Sequence, residues 1–108
     1  MSTHSAVSAA SNNATSVKAT AGRLFRVQAS NNNAAARYLK IYDKASAPAP
    51  ASDVPVLRYM IPPAGVLPST PCDYWFAAGL AYVVVTGAGD TNNDSTGASE
   101  TFVNIDYE

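Results

Sequence analysis

The sequence predicts an all-β fold: an antiparallel β-sandwich, jelly-roll-like, of about seven strands with an extended N-terminal arm. Short segments of alternating polar and apolar character recur from Thr15 onward, separated by clusters of Gly, Pro, Asn and Asp. No stretch of ~10 residues or more holds a helical period. The chain of 108 residues is long enough for one core and too short for two.

Residues 1–14 are almost wholly Ser, Ala, Asn and Thr, with Val7 the only branched aliphatic side chain. Such a segment has too little apolar area to offset its ordering entropy, which makes it an arm that a partner must hold. The single β-sandwich domain then runs over 15–108. Thr15 to Thr20 reads as the first strand, with Val17 between Ser16 and Lys18. After Ala21-Gly22, Arg23 to Ala29 alternates, placing Phe25, Val27 and Ala29 on one face and Leu24, Arg26 and Gln28 on the other. Ser30 to Asn33 is a turn, because Asn tolerates positive φ and bonds its own backbone. A single helical turn could follow over Asn33 to Arg37.

Arg37 to Asp43 alternates cleanly, Leu39 and Ile41 against Tyr38, Lys40 and Tyr42. Pro48, Pro50 and Pro55 make Ala45 to Asp53 a loop. Val56 to Ile61 is a strand ended by Pro62-Pro63, and Ala64 to Asp73, with Gly65, Pro68 and Pro71, reads as a second long loop. Tyr74 to Phe76 is a short strand whose alternation sends Trp75 to the opposite face from its neighbours. Leu80 to Thr86 is the strongest β signal, through Tyr82-Val83-Val84-Val85. A polar loop, Gly87 to Ser99, leads to the last strand, Thr101 to Tyr107, with Val103, Ile105 and Tyr107 facing one way.

Composition narrows the function by exclusion. Hydrophobic residues make up 47%, but 20 of them are alanine, so the large apolar side chains are few. Charged residues are only 14% and the net charge is -1, which argues against a nucleic-acid binder. His4 is the only histidine and lies in the arm, so no Ser-His-Asp or Cys-His arrangement fits on the core, and no histidine metal site. Cys72 is alone, which excludes an internal disulfide. Gly87-Ala88-Gly89 lacks the lysine and further glycine of a phosphate loop. These features point away from an enzyme and imply no cofactor. The N-terminus has no basic, apolar leader and no apolar run is long enough to span a membrane, so the expectation is a protein made in a cytoplasm, with no membrane partner.

Two weak signals remain. Asp90, Asn92 and Asp94 copy the alternate oxygen ligands at the start of a calcium loop, but Ser95 replaces the glycine of the sharp turn and Glu100 comes one residue early. Trp75 either fills the core or is an anchor at an interface, where tryptophan carries much of the binding energy; a sugar-stacking platform is a third option.

Charge is laid out unevenly. Residues 1–60 hold all seven bases and two acids; residues 61–108 hold six acids and no base. Either the two halves pair internally across strands, or a basic face carrying Lys18, Arg23, Arg26, Arg37, Tyr38 and Lys40 meets an acidic partner. With Val7 and Trp75, these are the candidate partner-binding residues.

The blocks Thr15-Ser16-Val17-Lys18-Ala19-Thr20-Ala21-Gly22-Arg23, the Asn run, Ala36-Arg37-Tyr38-Leu39-Lys40-Ile41-Tyr42-Asp43-Lys44-Ala45, Asp53-Val54-Pro55-Val56, Ile61-Pro62-Pro63, and Gly79-Leu80-Ala81-Tyr82 with Thr86-Gly87 together resemble small tailed-bacteriophage virion structural proteins, the capsid decoration or cement proteins. The likeness covers residues 13–108. It implies a non-enzymatic β-sandwich on the capsid exterior, assembled in the host bacterial cytoplasm, that binds the major capsid protein and copies of itself, as a trimer or dimer, and stabilises the shell. An alternative within the same resemblance is a tail, collar or head-fibre protein that recognises a receptor or glycan. The resemblance assigns no individual binding residue.

Overall fold

A computed structural model describes every residue from Met1 to Glu108. Eight strands follow one another: β1 (Ser2–Val7), β2 (Thr15–Lys18), β3 (Gly22–Asn31), β4 (Arg37–Asp43), β5 (Leu57–Ile61), β6 (Val66–Phe76), β7 (Leu80–Val85) and β8 (Thr101–Tyr107). They form two four-stranded sheets. Sheet I has the order β1-β8-β3-β6, and sheet II the order β2-β7-β4-β5. The antiparallel pairs are nested, β1 with β8, β2 with β7, β3 with β6 and β4 with β5. A long hairpin rolled up on itself gives this order, which is the jelly roll.

Alternation on each strand builds the core between the sheets. Leu24, Val27 and Ala29 of β3, Leu39 and Ile41 of β4, Phe76 of β6, Tyr82 and Val84 of β7, and Val103 and Ile105 of β8 form one buried cluster. Each fully buried aliphatic side chain of this kind contributes about 1.5–3 kcal/mol. Leu24 shares a face with Val27 although their spacing is odd. The ladder to β8 shifts register between Leu24 and Arg26, and the extra residue of this bulge turns Leu24 inward and leaves Phe25 only partly buried. The expected shared face of Phe25, Val27 and Ala29, with Leu24 opposite, is corrected accordingly: Leu24 joins Val27 and Ala29 in the core.

Two further expectations change. The stretch expected to be a loop before Tyr74 is most of an 11-residue strand, β6, despite Pro68 and Pro71. Those prolines are tolerated because β6 is an edge: an amide missing on its free side breaks no ladder bond. The first 14 residues are no detached arm either. Residues 2–7 are β1, paired residue for residue from Ser2↔Tyr107 to Val7↔Phe102. Residues 8–14 are then tied down by polar groups rather than apolar area. Asn13, at φ 59°, accepts from the Ala9 amide at 2.7 Å, and its Nδ2 lies 2.7 Å from Thr96 Oγ1 and 3.2 Å from the Val84 carbonyl. Asn12 Nδ2 donates to Asn93 at 2.7 Å and the Thr96 amide to the Ser11 carbonyl at 3.0 Å. No helical turn forms between β3 and β4.

The outer face of sheet II is covered over β7 and β4, leaving Met60 of the β5 edge exposed. Tyr42, Ala81, Val83 and Val85 make a second buried cluster there, joined by Ala14 and Tyr38. The segment between β7 and β8 lies against it: Lys40 Nζ donates to the Gly89 carbonyl, and Arg58 grips Asp90 through two bonds of 2.5 and 2.7 Å. Burial on both faces explains why β7 reads as an unbroken apolar run.

Candidate functional site

The outer face of sheet I has no such cover. On β3, Ala29 points inward and Ser30 outward; on β8, Val103 points inward and Phe102 outward. The register places Val7 of β1 beside Phe102, Phe102 beside Ser30, and Ser30 beside Val66 of β6. One cross-strand row therefore carries three large apolar side chains, Val7, Phe102 and Val66, with relative exposures from 40% to 59%. Seven residues back along β3, about 23 Å away, Arg23 pairs with Trp75. Trp75 is 58% exposed on this face, while Phe76 and Tyr74 pack inward with their rings 4.8 Å apart. Trp75 borders a shallow cleft of about 320 Å³ whose other walls are Lys18, Ala21, Gly22, Arg23 and Glu108.

Between these apolar ends runs a polar belt whose charges are already neutralised. Asp106, largely buried, holds Arg26 at 2.5 Å and accepts from the Thr3 hydroxyl at 2.8 Å. Arg23 reaches Asp73 at 2.7 Å, with both partners solvent-exposed.

The remaining candidate residues divide by burial. Arg37 is not free for a partner: it meets Glu100 at 2.5 Å with both side chains nearly enclosed. Lys40 is 1% exposed, and burial pulls its pKa down although the nearby Asp90 charge pushes it back up. Tyr38 is half-buried against the covered face of sheet II. These three leave the partner-binding set. Of the seven bases, Arg23, Arg26, Arg37 and Arg58 pair with acids of residues 61–108, and Lys44 pairs with Asp53. The uneven charge layout is thus closed mainly within the chain. Lys18 remains accessible beside Trp75.

Asp90, Asn92 and Asp94 do not converge as cation ligands. The Asp90 carboxylate is held by Arg58, and that contact lowers its pKa. Asn92 Oδ1 accepts from the amides of Gly87 at 3.1 Å and Asp94 at 3.3 Å. The oxygens that a calcium loop would aim at a metal serve here to shape the segment that covers sheet II.

His4 lies inside the sandwich mouth rather than in a free arm. Its Nε2 is 3.0 Å from the Tyr82 hydroxyl, with the rings edge to face at 5.5 Å. Burial lowers the His4 pKa and raises that of Tyr82, so both groups favour their neutral forms. Nearby, the segment from Ala6 to Thr15 roofs a cleft of about 310 Å³ floored by Tyr82, Val84 and Val103. The sequence pointed to Val7 and Trp75 as partner-facing residues, but not to Phe102 or Val66. The outward slots of the last strand were there to be read, since Val103 and Ile105 face inward; Val66 was hidden inside a proline-containing segment.

Comparison of the chain with protein-family models, with curated proteins and with solved structures finds no match.

Proposed function

We propose that this protein is a non-enzymatic structural component of a bacteriophage virion, a decoration protein that docks on the capsid exterior through the outer face of sheet I. The observation that carries the reading is the contrast between the two outer faces. The centre of sheet II is covered by the chain's own loops, which leave one large apolar side chain exposed, Met60 of its β5 edge, whereas sheet I exposes four, Val7, Phe102, Val66 and Trp75, and pairs its arginines with acids. Exposed apolar groups concentrated on one face mark an interaction surface. The jelly roll is a recurrent architecture of viral capsid and lectin domains, and this supports the reading by analogy of fold only. The sequence resemblance to decoration proteins points the same way.

The test is co-sedimentation with shells of the major capsid protein. Trp75→Ser and Phe102→Ser are expected to reduce occupancy by tenfold or more in protein that circular dichroism shows to be folded at the assay temperature; the midpoint should fall more for Phe102→Ser, whose ring is only 40% exposed on a central strand. Full occupancy by both variants would sink the docking face. A second reading, a tail, collar or head-fibre position with glycan recognition, draws on Trp75 beside the Lys18 and Glu108 cleft. Copy number separates the two: hundreds of copies per particle fit decoration, and a dozen or fewer fit the alternative.

A further inference from the structure

We infer that β1 pairs with β1 of a second copy of this chain across a twofold axis at Ser5, joining two sheets I into one continuous sheet of eight strands. Sheet edges expose unpaired amides and carbonyls, and folded proteins usually blunt them. Three of the four edges here are blunted. The β6 edge contains Pro68 and Pro71, which lack amide hydrogens. The β2 edge is four residues long, breaks register between Ser16 and Lys18, and ends in a lysine. The β5 edge is five residues long, carries Arg58, and stops at Pro62. The β1 edge has no proline, no charged residue and no register break over six residues.

Its free groups follow from the pairing. The Ser8 amide donates to the Thr101 carbonyl at 2.8 Å. Strand alternation then turns the amides of Ala6, His4 and Ser2 toward β8, and those of Thr3, Ser5 and Val7 outward with their carbonyls. An antiparallel pair centred on Ser5 sets Ser5 opposite its own copy and Thr3 opposite Val7, twice. Six backbone hydrogen bonds then satisfy every outward group of Thr3, Ser5 and Val7. The side chains agree with this register. On the outer face β-branched Thr3 meets β-branched Val7, a favourable cross-strand match. On the inner face His4 lies opposite Ala6, large against small, so that neither His4 ring needs to leave Tyr82. The lack of charge removes the like-charge repulsion that a twofold otherwise creates. The contact is closed and isologous, so it ends at a dimer rather than growing into a fibre. A strand about 20 Å long buries less than the ~1,200 Å² of a stable interface, so the dimer is weak and forms at high protein concentration.

The experiment uses the full chain with Cys72→Ala as background, at high concentration under mild oxidation. Ser5→Cys places two sulfurs on hydrogen-bonded partners about 5.5 Å apart at Cα, within disulfide reach. It is expected to cross-link at least tenfold faster than Thr3→Cys or Val7→Cys alone, whose self-distances are about 14 Å in this register. A mixture of Thr3→Cys and Val7→Cys should give the heterodimer. Equal rates at all three positions, or fastest closure at Thr3 or Val7, would overturn the proposal. Ser5→Pro removes only an outward amide, so sedimentation should show the dimer lost with the monomer's thermal midpoint kept. A Ser5→Pro chain that is folded and still dimeric would overturn the proposal too. Both readouts are made on the free protein and are independent of whether it binds a shell.

Discussion

Asn13→Ala should destabilise the protein by about 2–4 kcal/mol, far more than its half-exposed position suggests. The residue adopts φ 59°, in the left-handed region. An alanine there costs about 1–2 kcal/mol, since it has Cβ but no local side-chain bond to compensate. The side chain also accepts from the Ala9 amide at 2.7 Å and reaches Thr96 Oγ1 at 2.7 Å, the Ser11 carbonyl at 3.0 Å and the Val84 carbonyl at 3.2 Å. Two amide hydrogens serve the last three, so the net loss is that of about two or three bonds at ~0.5–1.5 kcal/mol each, reduced by water on the exposed side. Urea unfolding with an unchanged slope measures the difference. Asn13→Gly should lie between parent and Ala variant, because glycine relieves the backbone strain without restoring the bonds. An Ala variant within about 0.5 kcal/mol of the parent would refute the claim that polar contacts, rather than a partner, order residues 8–14.

Other outcomes follow from the same geometry. Burial pushes the Asp43 pKa up, but the amides of Ala78, Ala77 and Gly79 bond its carboxylate and more than reverse this, holding it below its ordinary value. That stabilisation is present above the unfolded-state pKa and disappears as pH falls through the lower folded-state value; Asp43→Asn should lower stability at neutral pH by about 1–2 kcal/mol and flatten this part of the acid limb in denaturation at stepped pH. A Cβ at Gly79 would come within 2.6–2.8 Å of the Lys18 and Lys44 carbonyls and Ala45 Cα, all backbone, so Gly79→Ala should cost about 1–3 kcal/mol by calorimetry. Burial first and the Cys72 thiol second push Tyr59 up to about 12. Burial also raises Tyr42 and Tyr82, so alkaline titration of tyrosinate absorbance should show a late phase from these three groups, of which only the Tyr59 share moves earlier in Cys72→Ala.

The legibility of this fold followed side-chain period closely. Arg37–Asp43 and Thr101–Tyr107 are strands at the bounds that alternation predicts, and Leu80 to Val85 needed only its apolar run. Alternation failed where the backbone broke its own period, at the bulge after Leu24. Proline misled in β6 because its effect depends on whether a strand is central or at an edge, which a sequence does not state. The order of the first 14 residues is invisible to a count of apolar area, because hydrogen bonds supply it: Asn12 and Asn13 bond Asn93 and Thr96, more than 80 residues away in sequence. For the site, Trp75 and Val7 were visible as odd apolar residues, whereas Arg37 and Lys40 looked available only because their cover comes from the Gly87–Glu100 segment.

If charge is closed within the chain, recognition by sheet I should depend little on salt. Exposed ion pairs weaken above the ~10 Å screening length of 0.1 M salt, and a basic face meeting an acidic shell would lose affinity steeply as salt rises. The bases Arg23 and Arg26 on this face already hold Asp73 and Asp106, so few counterions remain to be released on docking. Apolar burial by Phe102, Val7, Val66 and Trp75 is instead strengthened by salts excluded from protein surfaces, such as sulfate. Shell occupancy measured from 0.05 to 0.5 M sodium chloride should therefore change by less than about threefold and rise in sulfate at equal ionic strength. A drop of tenfold or more across that range would return the weight to Lys18 and the arginines and remove it from the apolar row.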